Sequence, residues 1–177
     1  MKLIYQNTEI GHWYDLILMA QEDAAIQLEH ELEGYVVMML MRFNRTKSLS
    51  DAVLALEFLE ALDEKNNKNH DQMREVADKC LIYSGLFPER TKRKRVDEHY
   101  FIQLGQSAYR ILCDAISHGM PLLSRLYEKL SSEFIAIVDV IGAMRMKKTL
   151  PISRESFQMD EKQADMLLNY RQNAFKK

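Results

Sequence analysis

Two cysteines, three prolines and six glycines are few for 177 residues. The cysteine count excludes a disulfide scaffold, which small secreted domains need. Cys80 and Cys113 both fall inside helical hydrophobic patterns and read as reduced, buried thiols. Scarce glycine and proline, with no strict apolar–polar alternation, argue against a β-sandwich or barrel. No stretch reaches the roughly 18 consecutive apolar residues that a membrane span requires. The N-terminal MKLIYQNTEIGHWYDLILMAQED has an apolar run too short, and too soon broken by Asp15, for a signal peptide. A net charge of −2 leaves no global field for nucleic acid or an anionic membrane. What is present is 47% hydrophobic and 28% charged residues, the balance of a folded cytoplasmic domain. Its length suits a single domain with a sizeable core.

The dominant signal is a helical period. Trp13, Leu16, Ile17 and Ala20 share a face over 12–24. Over 27–45 the apolar face runs through Leu28, Leu32, Tyr35, Val36, Met39 and Phe43. Val37, Met38, Leu40 and Met41 fill the other side, the pattern of a central, buried helix. Ser48 and Asp51 resemble a cap for a helix reaching about Asp63, followed by a polar loop. Met73, Val76, Ala77, Cys80, Leu81 and Ser84 stripe a helix over 70–86, which Gly85 and Pro88 end. Asp97 then caps a helix over 98–118, with Phe101, Leu104, Ala108, Ile111, Leu112 and Ala115 inward. Pro121 suits the first turn of the next. Over 121–146 a seam of Leu123, Tyr127, Leu130, Phe134, Ile137, Ile141 and Met144 steps by four and three. It predicts one long helix, packed either on its own chain or on a second copy. Asp160 and Gln163 start a last helix to about 175. The expected fold is all-α, one domain of six or seven helices spanning 1–177.

Ser84, Gly85, Gly105 and Ala108 predict two closely approaching antiparallel helices, 70–86 and 98–118; room for a ligand is the competing reading. Around their connection cluster Tyr83, Phe87, Tyr100, Phe101 and Tyr109. Phe101 reads as core. Tyr83, Phe87, Tyr100 and Tyr109 read either as core with tyrosine hydroxyls reaching polar partners at its edge or as a candidate interaction patch, because aromatics dominate interface hot spots. Arg90, Lys92, Arg93, Lys94 and Arg95 put five positive charges in six positions. They read first as a solvated loop, flanked by Glu89, Asp97 and Glu98, and second as a candidate anion patch for nucleic acid. The histidines supply no metal spacing beyond Glu9–His12, a lone Glu-x-x-His. No phosphate loop or nucleophile elbow occurs. No catalytic, cofactor-binding or metal-ligating residue is therefore assigned.

The segment SGLFPE at 84–89 with HYFIQLGQSAY at 99–109 resembles a group of uncharacterised bacterial all-helical proteins. Ser84, Gly85, Phe87, Pro88, Glu89, Tyr100, Gly105, Ala108 and Tyr109 carry the likeness. It implies a helical unit centred on this hairpin and no activity or cofactor.

These features favour a non-enzymatic interaction or adaptor protein that binds a protein partner and can self-associate. One alternative is a nucleic-acid-associated protein using the basic loop 90–95. The other is an enzyme whose inter-helix pocket would gather Tyr100, Tyr109, His99 and Glu89, since such groups do acid–base work only within hydrogen-bond reach of a substrate.

Overall fold

The computed structural model describes residues 8–45, 58, 68–88 and 98–146. Six helices order these residues: α1 Glu9–Ala24, α2 His30–Arg45, α3 Lys68–Leu86, α4 Glu98–Ile116, α5 Pro121–Ser132 and α6 Phe134–Arg145. No strand occurs among the described residues, and the all-α expectation holds. The helices expected at 48–63 and 161–175, and the basic run 90–95, lie outside the described residues. Phe58 is described alone, in helical backbone and packed against the core.

Local chemistry sets the boundaries. Thr8 caps α1 by accepting a hydrogen bond from the Gly11 amide at 3.2 Å, so this helix starts three residues before its apolar period. Ala25 closes it in the left-handed region (φ 53°), its amide reaching the Gln21 and Glu22 carbonyls. Gln21 then clasps the turn into α2. Its side-chain carbonyl accepts from the Leu28 amide at 2.6 Å, and its amide donates to Glu33 at 2.9 Å. Pro121 occupies the first turn of α5, where its missing N–H costs nothing.

The seam helix expected over 121–146 is two helices. Glu133 (φ −92°, ψ 11°) interrupts it for one residue. The cause is polar and lies in α4. Gln106 donates to the Ser131 carbonyl at 3.3 Å, and the Ser131 hydroxyl donates to the Gln106 carbonyl at 2.9 Å. The hydrophobic period runs through the break uninterrupted, so periodicity could not show it. The seam itself faces the protein's own interior. Leu130, Phe134, Ile137, Ile141 and Met144 have no exposed surface; α5 packs mainly on α4, and α6 on α1 and α3.

The centre of the bundle is α3. It packs closely on α4 and α6, and every residue from Val76 to Leu86 is buried. The α2 segment expected to be central is largely buried from Val36 to Phe43, but Met38 is 57% exposed. Mean apolarity pointed to α2 because α3 carries Asp78, Lys79 and Ser84, three polar residues that are nonetheless buried.

Small residues set the approach of the helices: Gly105 faces the expected partner α3 at Cys80, and both Gly85 and Gly105 also face α6. A Cβ on Gly85 would lie 2.5 Å from Ile141 of α6. One on Gly105 would strike the Phe134 ring and come within 2.8 Å of Cys80. The inward face of α4 is also rotated from the expected one. Gly105, Ala108, Tyr109, Leu112 and Ile116 are buried, whereas Ala115 is exposed. The turn of the helix toward Tyr109 has its explanation in α3.

Candidate functional site: a buried carboxylate shared by four helices

Asp78 lies at the middle of α3 with 0% exposure. Burying an unpaired carboxylate is strongly unfavourable, so a native fold must surround it with donors. Three arrive from two helices. The Tyr109 hydroxyl of α4 donates to Oδ1 at 2.5 Å, and the Tyr35 hydroxyl of α2 donates to the same oxygen at 2.6 Å. The Arg42 guanidinium of α2 takes Oδ2. Tyr35 and Arg42 are seven residues apart and thus share one face of α2. The α2 backbone packs on α1 and less extensively on α5; toward α3 it sends these long polar side chains beside an apolar face that shares the same core.

A fourth helix closes the cluster. The Tyr109 ring stacks on Tyr127 of α5 (centroids 6.0 Å, interplanar 19°) and meets Tyr35 edge-on at 6.3 Å. Phe134 of α6 covers another side at 6.1 Å. Arg42 lies over the Phe43 ring at 5.0 Å and keeps 41% of its side chain in water.

The electrostatics follow from this geometry. Burial raises the Asp78 carboxyl above the ordinary range, against the lowering by Arg42 and by the tyrosine hydroxyls. Burial first, and then the neighbouring Asp78 charge, hold Tyr35 and Tyr109 well above the usual phenol value. Both are proton donors throughout the neutral range. For Arg42, burial pulls the affinity for its proton down, but the Asp78 carboxylate more than offsets that and the net direction is up. An ordinary ion pair would lower its acid. Here the pair raises its base while the acid also rises, because complete desolvation of Asp78 outweighs a partner that is half in water. Tyr127 is also raised, by burial first, with Arg74 opposing.

The candidate patch from the sequence divides in two. Tyr109 has no exposed surface and belongs to the Asp78 cluster; Tyr83 is also buried, at 6%. Neither is a surface contact. Phe87 and Tyr100 are half-buried. With Tyr83 and Phe101 they make a continuous strip, Phe87–Tyr83–Phe101–Tyr100, with successive centroids at 6.4, 5.9 and 5.5 Å. It lies where α3 ends and α4 begins.

The residues grouped for acid–base chemistry do not converge. Tyr100 and Tyr109 are nine residues apart on one helix, about 13 Å along its axis and on opposite sides. His99 is exposed. Glu89 and the anion-patch residues Arg90, Lys92, Arg93, Lys94 and Arg95 lie outside the described residues. Sequence reasoning missed Asp78 altogether. Its one visible signal was position, an acid inside the apolar run Val76–Leu86. Among the described residues, no three His, Cys, Asp or Glu side chains gather as a metal-ligand set, and no helix is long and apolar enough to cross a membrane.

Comparison with protein-family models, with curated proteins and with solved structures gives no match.

Proposed function

We propose that this protein is a non-enzymatic interaction or adaptor protein, and that it binds its partner through the mouth of the α3–α4 hairpin. The observation that carries this reading is the half-buried aromatic strip ending in Phe87 and Tyr100. Two of its rings, Tyr83 and Phe101, are anchored on core helices. The outer two therefore present apolar area already fixed in orientation, which lowers the ordering cost of binding. Aromatic rings of this kind dominate interface energetics. The strip coincides with the part of the chain that resembles the bacterial helical group, and that likeness is part of the proposal. Self-association through the 123–144 seam is not, because the seam is turned inward.

Affinity purification from the native cell tests the reading. Wild-type protein is compared with Phe87→Ser/Tyr100→Ser and with Leu122→Ser, which alters an apolar side chain 83% exposed elsewhere on the surface. A protein partner retained by wild type and by Leu122→Ser, but lost with the aromatic variant at unchanged circular dichroism, supports it. Equal recovery by all three overturns it. Nucleic acid recovered in place of protein, in a salt-sensitive manner, would favour the basic run 90–95 instead. Light scattering at micromolar concentration decides whether the partner is a second copy.

A further inference from the structure

We propose that the outer groove of the α1–α2 hairpin is a second docking surface, and that its occupant is a basic amphipathic helix of a protein partner. The two helices run antiparallel. Arg45 at the end of α2 pairs with Glu9 at the start of α1 at 2.8 Å, and Gln21 meets Glu33 beside the turn. Ile10, Tyr14 and Leu18 recur at four-residue steps and so share one stripe of α1. Tyr14 joins that stripe to α2: its hydroxyl oxygen lies 3.1 Å from the place a Cβ on Gly34 would take. Met38 stands one turn beyond Gly34 on the same side of α2. Ile10 is 40% exposed, Leu18 43% and Met38 57%, so both walls of the groove offer apolar area to solvent. From Ile10 to Leu18 the stripe runs about 12 Å, the length of two turns of a docked helix.

Charge selects the occupant. Residues 8–45 hold seven carboxylates and two arginines, although the whole chain carries a net charge of only −2. Both arginines are committed within the fold, Arg42 to Asp78 and Arg45 to Glu9. Asp15 precedes Leu18 by three residues and Glu22 follows it by four, so an exposed acid stands one turn to either side of that leucine. Neither acid makes an ion pair among the described residues. Glu31, two turns before Met38 on α2, is already held by Lys129 at 3.2 Å, which leaves the open negative rim to α1. Such a rim repels nucleic acid and anionic lipid. In an isologous contact a second copy would set Asp15 and Glu22 against the same acidic patch, which disfavours self-pairing. A helix with leucine-type anchors at three- and four-residue steps, flanked by lysine or arginine, complements both the apolar stripe and its rim. This surface lies on different helices from the α3–α4 mouth.

The test uses the full chain and a synthetic helical peptide of about five turns, with leucine at every third or fourth position and lysine flanking. A twin with glutamate for lysine and a scrambled peptide of equal composition are the controls. Fluorescence anisotropy at low salt should show saturable binding of the lysine peptide in about the micromolar range, weakening as salt rises, and none of the glutamate twin. Leu18→Ser/Met38→Ser should weaken it by about tenfold or more. Asp15→Lys/Glu22→Lys should weaken it and flatten the salt dependence. Phe87→Ser/Tyr100→Ser should bind as wild type does, so failure of this surface and failure of the mouth are read separately. Methyl NMR of the wild-type protein needs no variant, and its peptide-induced shifts should fall on Ile10, Leu18 and Met38. Equal binding of the scrambled peptide overturns the proposal. So does undiminished affinity in Leu18→Ser/Met38→Ser, methyl shifts elsewhere, or no binding up to about 1 mM, the scale of about −4 kcal/mol. A wild-type dimer in light scattering that Leu18→Ser/Met38→Ser disperses would put a second copy in the groove and overturn it as well.

Discussion

Tyr109 and Tyr100 occupy the same helix and experience different solvents. Tyr109 is wholly enclosed, with its hydroxyl committed to Asp78 and its ring stacked on Tyr127. Tyr100, near the start of α4, is half-buried and meets Phe101 edge-on. One residue type thus serves the fold at one site and offers a surface at the other. The difference is not in the side chain. It comes from what the neighbouring helix places opposite: a carboxylate that requires donors, or a row of rings that ends at the surface. Hairpins of this kind are readily taken as one functional unit, yet here the middle joins helices through buried polar and ring contacts, while the half-buried rings lie at the end.

The largest effect should come from removing what makes the two regions unlike. Asp78→Ala leaves the Tyr35 and Tyr109 hydroxyls without this acceptor in the core and removes the Asp78 partner of Arg42. Losing the acceptor of a buried hydroxyl costs about 1–3 kcal/mol for each group, and urea unfolding measures it. Gly105→Ala probes the helix between the two regions. The added Cβ meets the Phe134 ring and Cys80, so overpacking should cost about 1–3 kcal/mol. A change within 0.3 kcal/mol, on the order of measurement error, would show that α4 is not held as tightly as described.

Arg42→Met sharpens the electrostatic half of the comparison. The folded-state value of Asp78 is already raised, so its contribution is full below the unfolded value and lost as pH rises through the folded one. Removing the Arg42 charge raises the carboxyl further. The variant should therefore match wild type near pH 4 and fall behind as pH rises. At pH 8 the deficit should be about 1–2 kcal/mol, discounted from the fully buried case because Arg42 is partly in water. Denaturation at both pH values checks the sign. The smallest stability effect belongs to the aromatic mouth. Tyr100→Ser should move stability by less than about 1 kcal/mol, at the low end of the range for point substitutions, while changing partner capture.

The sequence made some of this visible. The 3.6-residue period located α1, α2 and α3, and Pro121 marked the start of α5, because burial of one face and the missing proline N–H are both written locally. Trp13, Leu16, Ile17 and Ala20 are all in the core as their spacing required. The break at Glu133 was hidden because its cause, the Gln106–Ser131 pair, joins residues 25 apart in the chain. The rotation of α4 was hidden for a related reason. Tyr109 is drawn inward by a hydrogen bond, and hydrophobicity alone ranks it below Ile111. Asp78 was read past because an acid beside a lysine is ordinarily a solvated face. Only the arrival of Tyr35, Arg42 and Tyr109 from elsewhere in the chain makes it a core residue, and no local pattern encodes that meeting.

The account stands on the bond between Asp78 and Tyr109. A double-mutant cycle of Asp78→Asn and Tyr109→Phe, measured by urea unfolding at neutral pH, tests it most directly. A buried, charge-assisted hydrogen bond predicts that the double variant loses less than the sum of the single losses, with a coupling of at least about 1 kcal/mol. Single losses that add to within about 0.3–0.5 kcal/mol, as for residues that do not touch, would contradict it.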